Sequence, residues 1–247
     1  MSSTHLRPAL ADLLAYLGEM GYGDLYLRPS RAHQAPSPPV QETVAPLAAA
    51  PPSALDEESL SRAAELAALA GVAAGCTRCR LAEGRTKVVF GSGNPSAELM
   101  FVGEGPGADE DRQGLPFVGA AGELLTKIIQ AIEMTREQVY IANVVKCRPP
   151  GNRDPQPDEV AACRGYLDKQ IALVRPRAIV ALGKVAAQTL LGNDSPIGRM
   201  RGQWYQVQGI PAMVTYHPAA LLRNPALKRP TWEDMQQVRD RLRSGSL

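Results

Sequence analysis

The 247-residue chain is poor in residues that often carry chemistry: four cysteines, three histidines, three phenylalanines and two tryptophans. Four cysteines are too few for a disulfide-dense mini-protein. With 45% hydrophobic and 21% charged residues, the composition is that of a globular protein, which excludes a collagen and a fully disordered chain. No run of about 18 apolar residues occurs, so neither a transmembrane helix nor a membrane partner is expected. The opening MSSTHLRPALADLL lacks a basic stretch followed by an apolar one, so no secretory signal is expected and a cytoplasmic location follows. In that compartment cysteines read as metal ligands or free thiols rather than disulfides. An excess of either charge is also missing, with 27 Lys+Arg against 25 Asp+Glu. The balance is uneven along the chain: net −4 over residues 1–60 and net +6 over residues 61–247. The second value is compatible with a polyanionic partner without demanding one.

Apolar spacing predicts an amphipathic helix near residues 8–20, within an N-terminal segment 1–30. Six prolines between Pro36 and Pro52 make 31–55 an extended linker that cannot build a core. Asp56, Glu57 and Glu58 then open a helix whose body runs to Ala74, acids at the positive end of its dipole. A main domain is therefore expected over 56–247. Within it, apolar β-branched runs predict strands at Lys87–Phe90, Leu99–Gly103, Val139–Val145, Ala178–Leu182, Trp204–Val207 and Ala212–Thr215. Helical patterns lie at 119–132, 157–174, 184–191 and 231–244. Strands spaced by helices argue for an α/β sandwich around a largely parallel sheet. In such sheets ligands bind at the carboxyl ends of strands. Gly103, Asn143 and His217 all fall there.

Cys76 and Cys79 form a C-x2-C pair; Cys147 follows after 67 residues and Cys163 after 15 more. The pair can chelate one metal, whereas the later cysteines must be brought in by folding. Structural zinc and an iron–sulfur cluster both use four thiolates, and spacing does not choose between them. Gly103-Glu-Gly-Pro-Gly107 is neither a P-loop, since no Gly-Lys-Ser/Thr follows, nor a dinucleotide fingerprint. It is a glycine-rich turn leading into four carboxylates: Glu104, Asp109, Glu110 and Asp111. Asn143 ends an apolar strand with a paired donor and acceptor, the equipment to read the edge of an amide-like base. His217 is the only histidine beyond residue 33, and it precedes a proline-fixed turn and an arginine.

Taken in order, GEGPG-x-DED, G-x-PFVG-x-AG, NVVKCRPPGNR, HPAALLRNP and the four-cysteine spacing resemble the family 4 uracil-DNA glycosylases. These are the iron–sulfur branch of the uracil-DNA glycosylase superfamily. The resemblance covers about residues 70–242, and residues 1–55 lie outside it. It implies a three-layer α/β/α sandwich with a central, mostly parallel four-stranded sheet. It also implies hydrolysis of the N-glycosidic bond of deoxyuridine in DNA, which releases uracil, leaves an abasic site and starts base excision repair.

By the same resemblance, Cys76, Cys79, Cys147 and Cys163 hold a 4Fe-4S cluster of structural purpose. Phe117 stacks on a flipped uracil, Asn143 pairs with its N3–H and O4, and the backbone around Gly103–Gly105 meets the other edge. His217 donates toward O2, and Glu104 or Glu110 positions the attacking water. Gly105 stands where several superfamily branches place a water-positioning side chain. The loop after His217 offers Leu221 as the wedge in the base stack, with Leu222 and Arg223 beside it. Lys146, Arg148, Arg153, Arg239, Arg241 and Arg243 are further candidate phosphate contacts. The expected partner is uracil-containing DNA, bound by a monomer. The N-terminal arm is a candidate tether to a repair or replication protein, or equally a dispensable solubilising extension. Two competing classes remain: a non-hydrolytic uracil- or DNA-binding module and a covalent-trapping variant. Glu104, Asn143 and His217 argue against the first. The second needs a histidine on an Arg-rich insertion, and His5 and His33 both lie in the N-terminal part.

Overall fold

Leu99–Gly103 and Ala178–Leu182 have every residue buried, as strands covered on both faces must be. A computed structural model, which describes residues 57–244, makes them the neighbouring central strands of a six-stranded sheet. The expected helix at 8–20 and the linker 31–55 lie outside the described residues.

The strands are β1 (Ser92–Gly93), β2 (Leu99–Gly103), β3 (Tyr140–Asn143), β4 (Ala178–Leu182), β5 (Trp204–Val207) and β6 (Ile210–Thr215), in spatial order β1-β3-β2-β4-β6-β5. The middle four are parallel. β1 and β5 add antiparallel edges, so the parallel four-stranded sheet expected from the sequence is the centre of a wider mixed one. The strand expected at Lys87–Phe90 does not form. Val89 N–H donates to the Lys146 carbonyl, but the short edge strand is Ser92–Gly93 instead. β3 also ends two residues early, although Val144 and Val145 still donate to the Gly103 and Glu104 carbonyls.

Side chains alternate across the sheet with a period of two. Met100, Val102, Ala142, Ile179, Ala181 and Val214 face one core with α1 (Glu57–Ala74), α2 (Leu81–Gly84), α5 (Pro157–Val174), α6 (Lys184–Leu191) and α7 (Ile197–Met200). Leu99, Phe101, Ile141, Val180, Leu182 and Met213 face a second core with α4 (Ala120–Ala131), α8 (Pro218–Arg223) and α9 (Lys228–Ser244). The short α3 spans Ala108–Gln113. Two cores on opposite faces of one sheet make the three-layer α/β/α sandwich.

Helix ends follow from local chemistry. Pro157 opens α5 at a position where a missing N–H costs nothing. Glu159 closes the capping box by accepting from the Gln156 N–H at 2.8 Å. Its carboxylate is fully buried and is held by Arg153 at 2.7 and 2.8 Å and Arg80 at 3.0 Å. Chiefly through the Arg153 hydrogen bonds, its pKa falls to about 2. Arg153 is thereby committed to the fold.

Candidate active site

All four parallel strands deliver residues to one cleft of about 570 Å3 at their carboxyl ends: Glu104 after β2, Asn143 at the end of β3, Lys184 after β4 and His217 after β6. This is where a parallel sheet exposes strand ends and helix starts to a ligand.

Asn143 sits opposite Gly103 in the β2–β3 register and is 1% exposed. Its side-chain Oδ1 has no hydrogen-bond partner among the described residues. A buried, unpaired amide atom costs about 1–3 kcal/mol, and the cost holds whichever end of the amide points inward. Gly103 makes room for it: a Cβ there would collide with the Asn143 amide and come within 2.6 Å of Phe117 Cζ.

Phe117 is held at φ 54°, a left-handed conformation that costs a bulky residue about 1–3 kcal/mol. The surrounding bonds enforce it. Glu110 Oε1 accepts from the N–H groups of Val118 (2.9 Å) and Gly119 (3.1 Å), while Oε2 accepts from that of Gly107 (3.1 Å). Arg136 donates to the Pro116 carbonyl. At Gly122 any Cβ would strike the Phe117 carbonyl. The ring stacks against His217 with centroids 5.4 Å apart and planes inclined by 29°.

His217 caps α8: its Nδ1 accepts the Ala219 N–H at 3.1 Å. A backbone N–H can only donate, so Nδ1 is bare and the ring proton sits on Nε2, available as a donor. Burial, reinforced by the Arg223 charge and opposed by Glu110, lowers the His217 pKa to about 4. The ring is neutral at physiological pH.

The four carboxylates of the glycine-rich turn separate by role. Asp109 pairs with Arg112 at the surface. Asp111 is 4% exposed and accepts the Thr86 N–H at 2.9 and 3.0 Å. Glu110 organises the Phe117 loop with both oxygens engaged, so it is not left to position water. Glu104 lines the cleft, its carboxyl without a hydrogen-bond partner among the described residues. Burial raises its pKa to about 7, with the Asp154 charge adding and Lys184 opposing. Asp154 and Lys184, paired at 3.1 Å, were missed in the sequence, although Lys184 lies two residues after a strand end. Gly105 packs against Val145, where a Cβ would approach to 2.8 Å.

Two assignments are corrected. Leu221 is 2% exposed and belongs to the second core, so it is not placed to enter a base stack; Leu222, 49% exposed, is the outward side chain. Lys146 is 1% exposed, so it is no phosphate contact. Among the arginines, Arg239 pairs with Asp240 and Arg243 with Glu133, and Arg241 lies 4.4 Å from the centre of the Trp204 ring. Among the described residues Arg148 bonds only the neutral Asn152, and Arg223 lines the cleft.

Behind the cleft, Cys76, Cys79, Cys147 and Cys163 line a second cavity together with Arg78, Arg85 and Lys146. All four are free of disulfides. Arg85 donates to Cys147 Sγ and the Lys146 N–H to Cys163 Sγ, each at 3.4 Å. Among the described residues, no three His, Cys, Asp or Glu side chains stand close enough to hold one metal ion. A single zinc with Zn–S bonds of about 2.3 Å needs its thiolates tightly gathered. Four thiols around one cavity, faced by Arg78 and Arg85, are the donor set that four-thiolate metal groups use.

The uracil DNA glycosylase superfamily profile matches residues 90–236. The chain is 48% identical to the type-4 uracil-DNA glycosylase of Sulfurisphaera tokodaii over 174 residues, which is 67% of this chain and 79% of that protein. It is 46% identical to that of Thermotoga maritima (66% of this chain, 88% of that protein). It is 45% identical to that of Archaeoglobus fulgidus (66% and 86%). With half the chain under the superfamily profile and these relatives covered over most of their length, the chain belongs to the uracil-DNA glycosylase superfamily and, within it, to the type-4 uracil-DNA glycosylases.

Proposed function

We propose that the protein hydrolyses the N-glycosidic bond of deoxyuridine in DNA, releasing uracil and leaving an abasic site for base excision repair. The observation that carries the reading is the buried Asn143 Oδ1, unpaired among the described residues, in a cleft walled by Phe117 and His217. A base inside a duplex is out of reach, so the target is flipped out at a cost of a few kcal/mol, lowest for a mispaired or single-stranded uracil.

The flipped ring stacks on Phe117. Asn143 accepts from uracil N3–H and donates to O4. Cytosine presents an acceptor at N3 and a donor at C4, so a fixed amide rejects it by leaving buried groups unpaired. As the glycosidic bond breaks, negative charge grows on O2 and positive charge on the sugar. The Nε2–H of neutral His217 donates to O2, and such stabilisation of developing charge is a large catalytic term. Glu104 as carboxylate orients water and offsets the sugar's charge. Its carboxyl has no hydrogen-bond partner among the described residues, whereas both oxygens of Glu110 are engaged, which supports it over Glu110. Leu222 replaces Leu221 as the wedge, and Arg223 and Arg148 are the phosphate contacts.

Cys76, Cys79, Cys147 and Cys163 hold a 4Fe-4S cluster, which when bound ties the loops they sit on together. The protein acts as an intracellular monomer on DNA, and residues 1–55 serve as a tether to another repair or replication protein.

Incubation with an oligonucleotide carrying one uracil, followed by alkali, tests the activity. Cleavage only at the uracil, falling steeply with salt, is the expected result. Intact strands from iron-loaded protein would favour a binding module and overturn the reading.

A further inference from the structure

Lys146 is a buried amine that the mechanism above does not use, and no carboxylate partners it among the described residues. Its Nζ donates to the main-chain carbonyl of Asn143 at 2.7 Å and to Gln170 Oε1. The Gln170 amide is fixed in turn: its Nε2 donates to the Phe90 carbonyl at 2.8 Å and to Tyr140 Oη at 3.2 Å, which turns Oε1 toward Lys146. Gln170 is fully buried on α5, and Tyr140 begins the strand that Asn143 ends. The same lysine's backbone N–H reaches Cys163 Sγ. One residue thus spans the wall between the cysteine cavity and the cleft.

We propose that Lys146 is a positioning residue for base recognition: its side chain pins the Asn143 carbonyl, and through it the amide that reads uracil, to Gln170 and to the cysteine-bearing loop. Strand β3 ends at Asn143, and beyond it the Val144 and Val145 N–H groups still bond across to the Gly103 and Glu104 carbonyls at 2.9 and 3.1 Å. The carbonyl of that last residue, left without a partner in a buried place, would pay the full desolvation cost. Lys146 satisfies it, and both the ammonium and the neutral amine carry the protons that two bonds require. A strand end held on both sides keeps the amide within the few tenths of an ångström that hydrogen-bond recognition demands.

The proposal rests on the glycosylase reading for its enzymatic consequence but not for its structural one, so two readouts separate them. In full-length, iron-loaded Lys146→Met, inhibition by free uracil is expected to weaken about tenfold or more, and single-turnover excision to slow by a similar factor. Affinity for DNA already carrying an abasic site stays within about twofold, which a general loss of structure would not allow. Independently of activity, amide exchange at Val144 and Val145 is expected to speed up about tenfold. Unchanged exchange and unchanged uracil inhibition, in a variant that keeps its iron, would overturn the proposal. Should Lys146→Met fail to fold or to hold iron, Gln170→Leu decides: it removes one anchor of the lysine without touching the cysteine loop. Unaltered exchange at Val144 and Val145 there would equally refute it. If the wild-type protein excises no uracil, the glycosylase reading fails while the exchange experiment still judges the strut.

Discussion

Glu104 yields the most quantitative expectation. Its carboxyl titrates at about 7, raised by burial first and by Asp154 second, and held back by Lys184. The active form is the carboxylate, so activity is lost as pH falls through that value. About 9% of the group is ionised at pH 6 and about 91% at pH 8, so single-turnover excision rises about tenfold over that interval. An ordinary glutamate would be almost wholly ionised at both and would give a flat profile. His217 adds no limb there, because its pKa of about 4 keeps it neutral throughout.

The pair flanking Glu104 provides the internal control. Asp154→Asn is expected to move the limb to lower pH and Lys184→Met to higher pH. Phosphates of bound DNA raise every limb alike and leave that order intact. Glu104→Gln abolishes the limb and slows excision at pH 8 by about 10²-fold or more. The assay is single-turnover excision from a single-stranded uracil oligonucleotide between pH 5.5 and 8.5. A flat wild-type profile, or the two flanking variants shifting it the same way, would refute the assignment.

Four further expectations test other parts of the structure. Leu221→Ala should cost about 2–5 kcal/mol of stability as a buried truncation, read in a denaturant titration. Leu222→Ala should change stability by no more than about 0.5 kcal/mol yet slow excision from duplex severalfold more than from single strands. Gly103→Ala should slow single-turnover excision by about tenfold or more, because its Cβ would push on both Phe117 and the Asn143 amide. Finally, Cys163→Ala should lower iron per chain and the midpoint of thermal unfolding together, measured by metal analysis and calorimetry.

Much of the frame was legible because burial on both faces leaves a plain signal: β2 and β4 read as unbroken apolar runs, and the helices between strands keep their period. Lys87–Phe90 misled because an apolar, extended segment looks like a strand even when only one ladder bond forms. The site residues Asn143, Phe117 and His217 were legible through motif order and through their places after strands. The roles of Glu110 and Lys146 were not. Glu110 stands three residues after Gly107, the spacing of a capping box, but a carboxylate in a glycine-rich turn invites a catalytic reading. Lys146 carries the residue type of a surface contact, and only the fold shows that its stem passes through the core to Asn143. Leu221 and Leu222 are adjacent on one short helix, and which one faces inward depends on packing against α4 that local sequence does not encode.

The central claim is that the Asn143 amide reads uracil for excision. Its most direct test is mass spectrometry of a uracil-containing oligonucleotide and of the free bases after incubation with iron-loaded wild-type protein and with Asn143→Leu. The wild type is expected to release one uracil per site, leaving an abasic strand and untouched cytosines. Asn143→Leu is expected to retain its iron and release uracil at least about 10²-fold more slowly. Equal release by the two proteins, or none from the wild type, would contradict that claim.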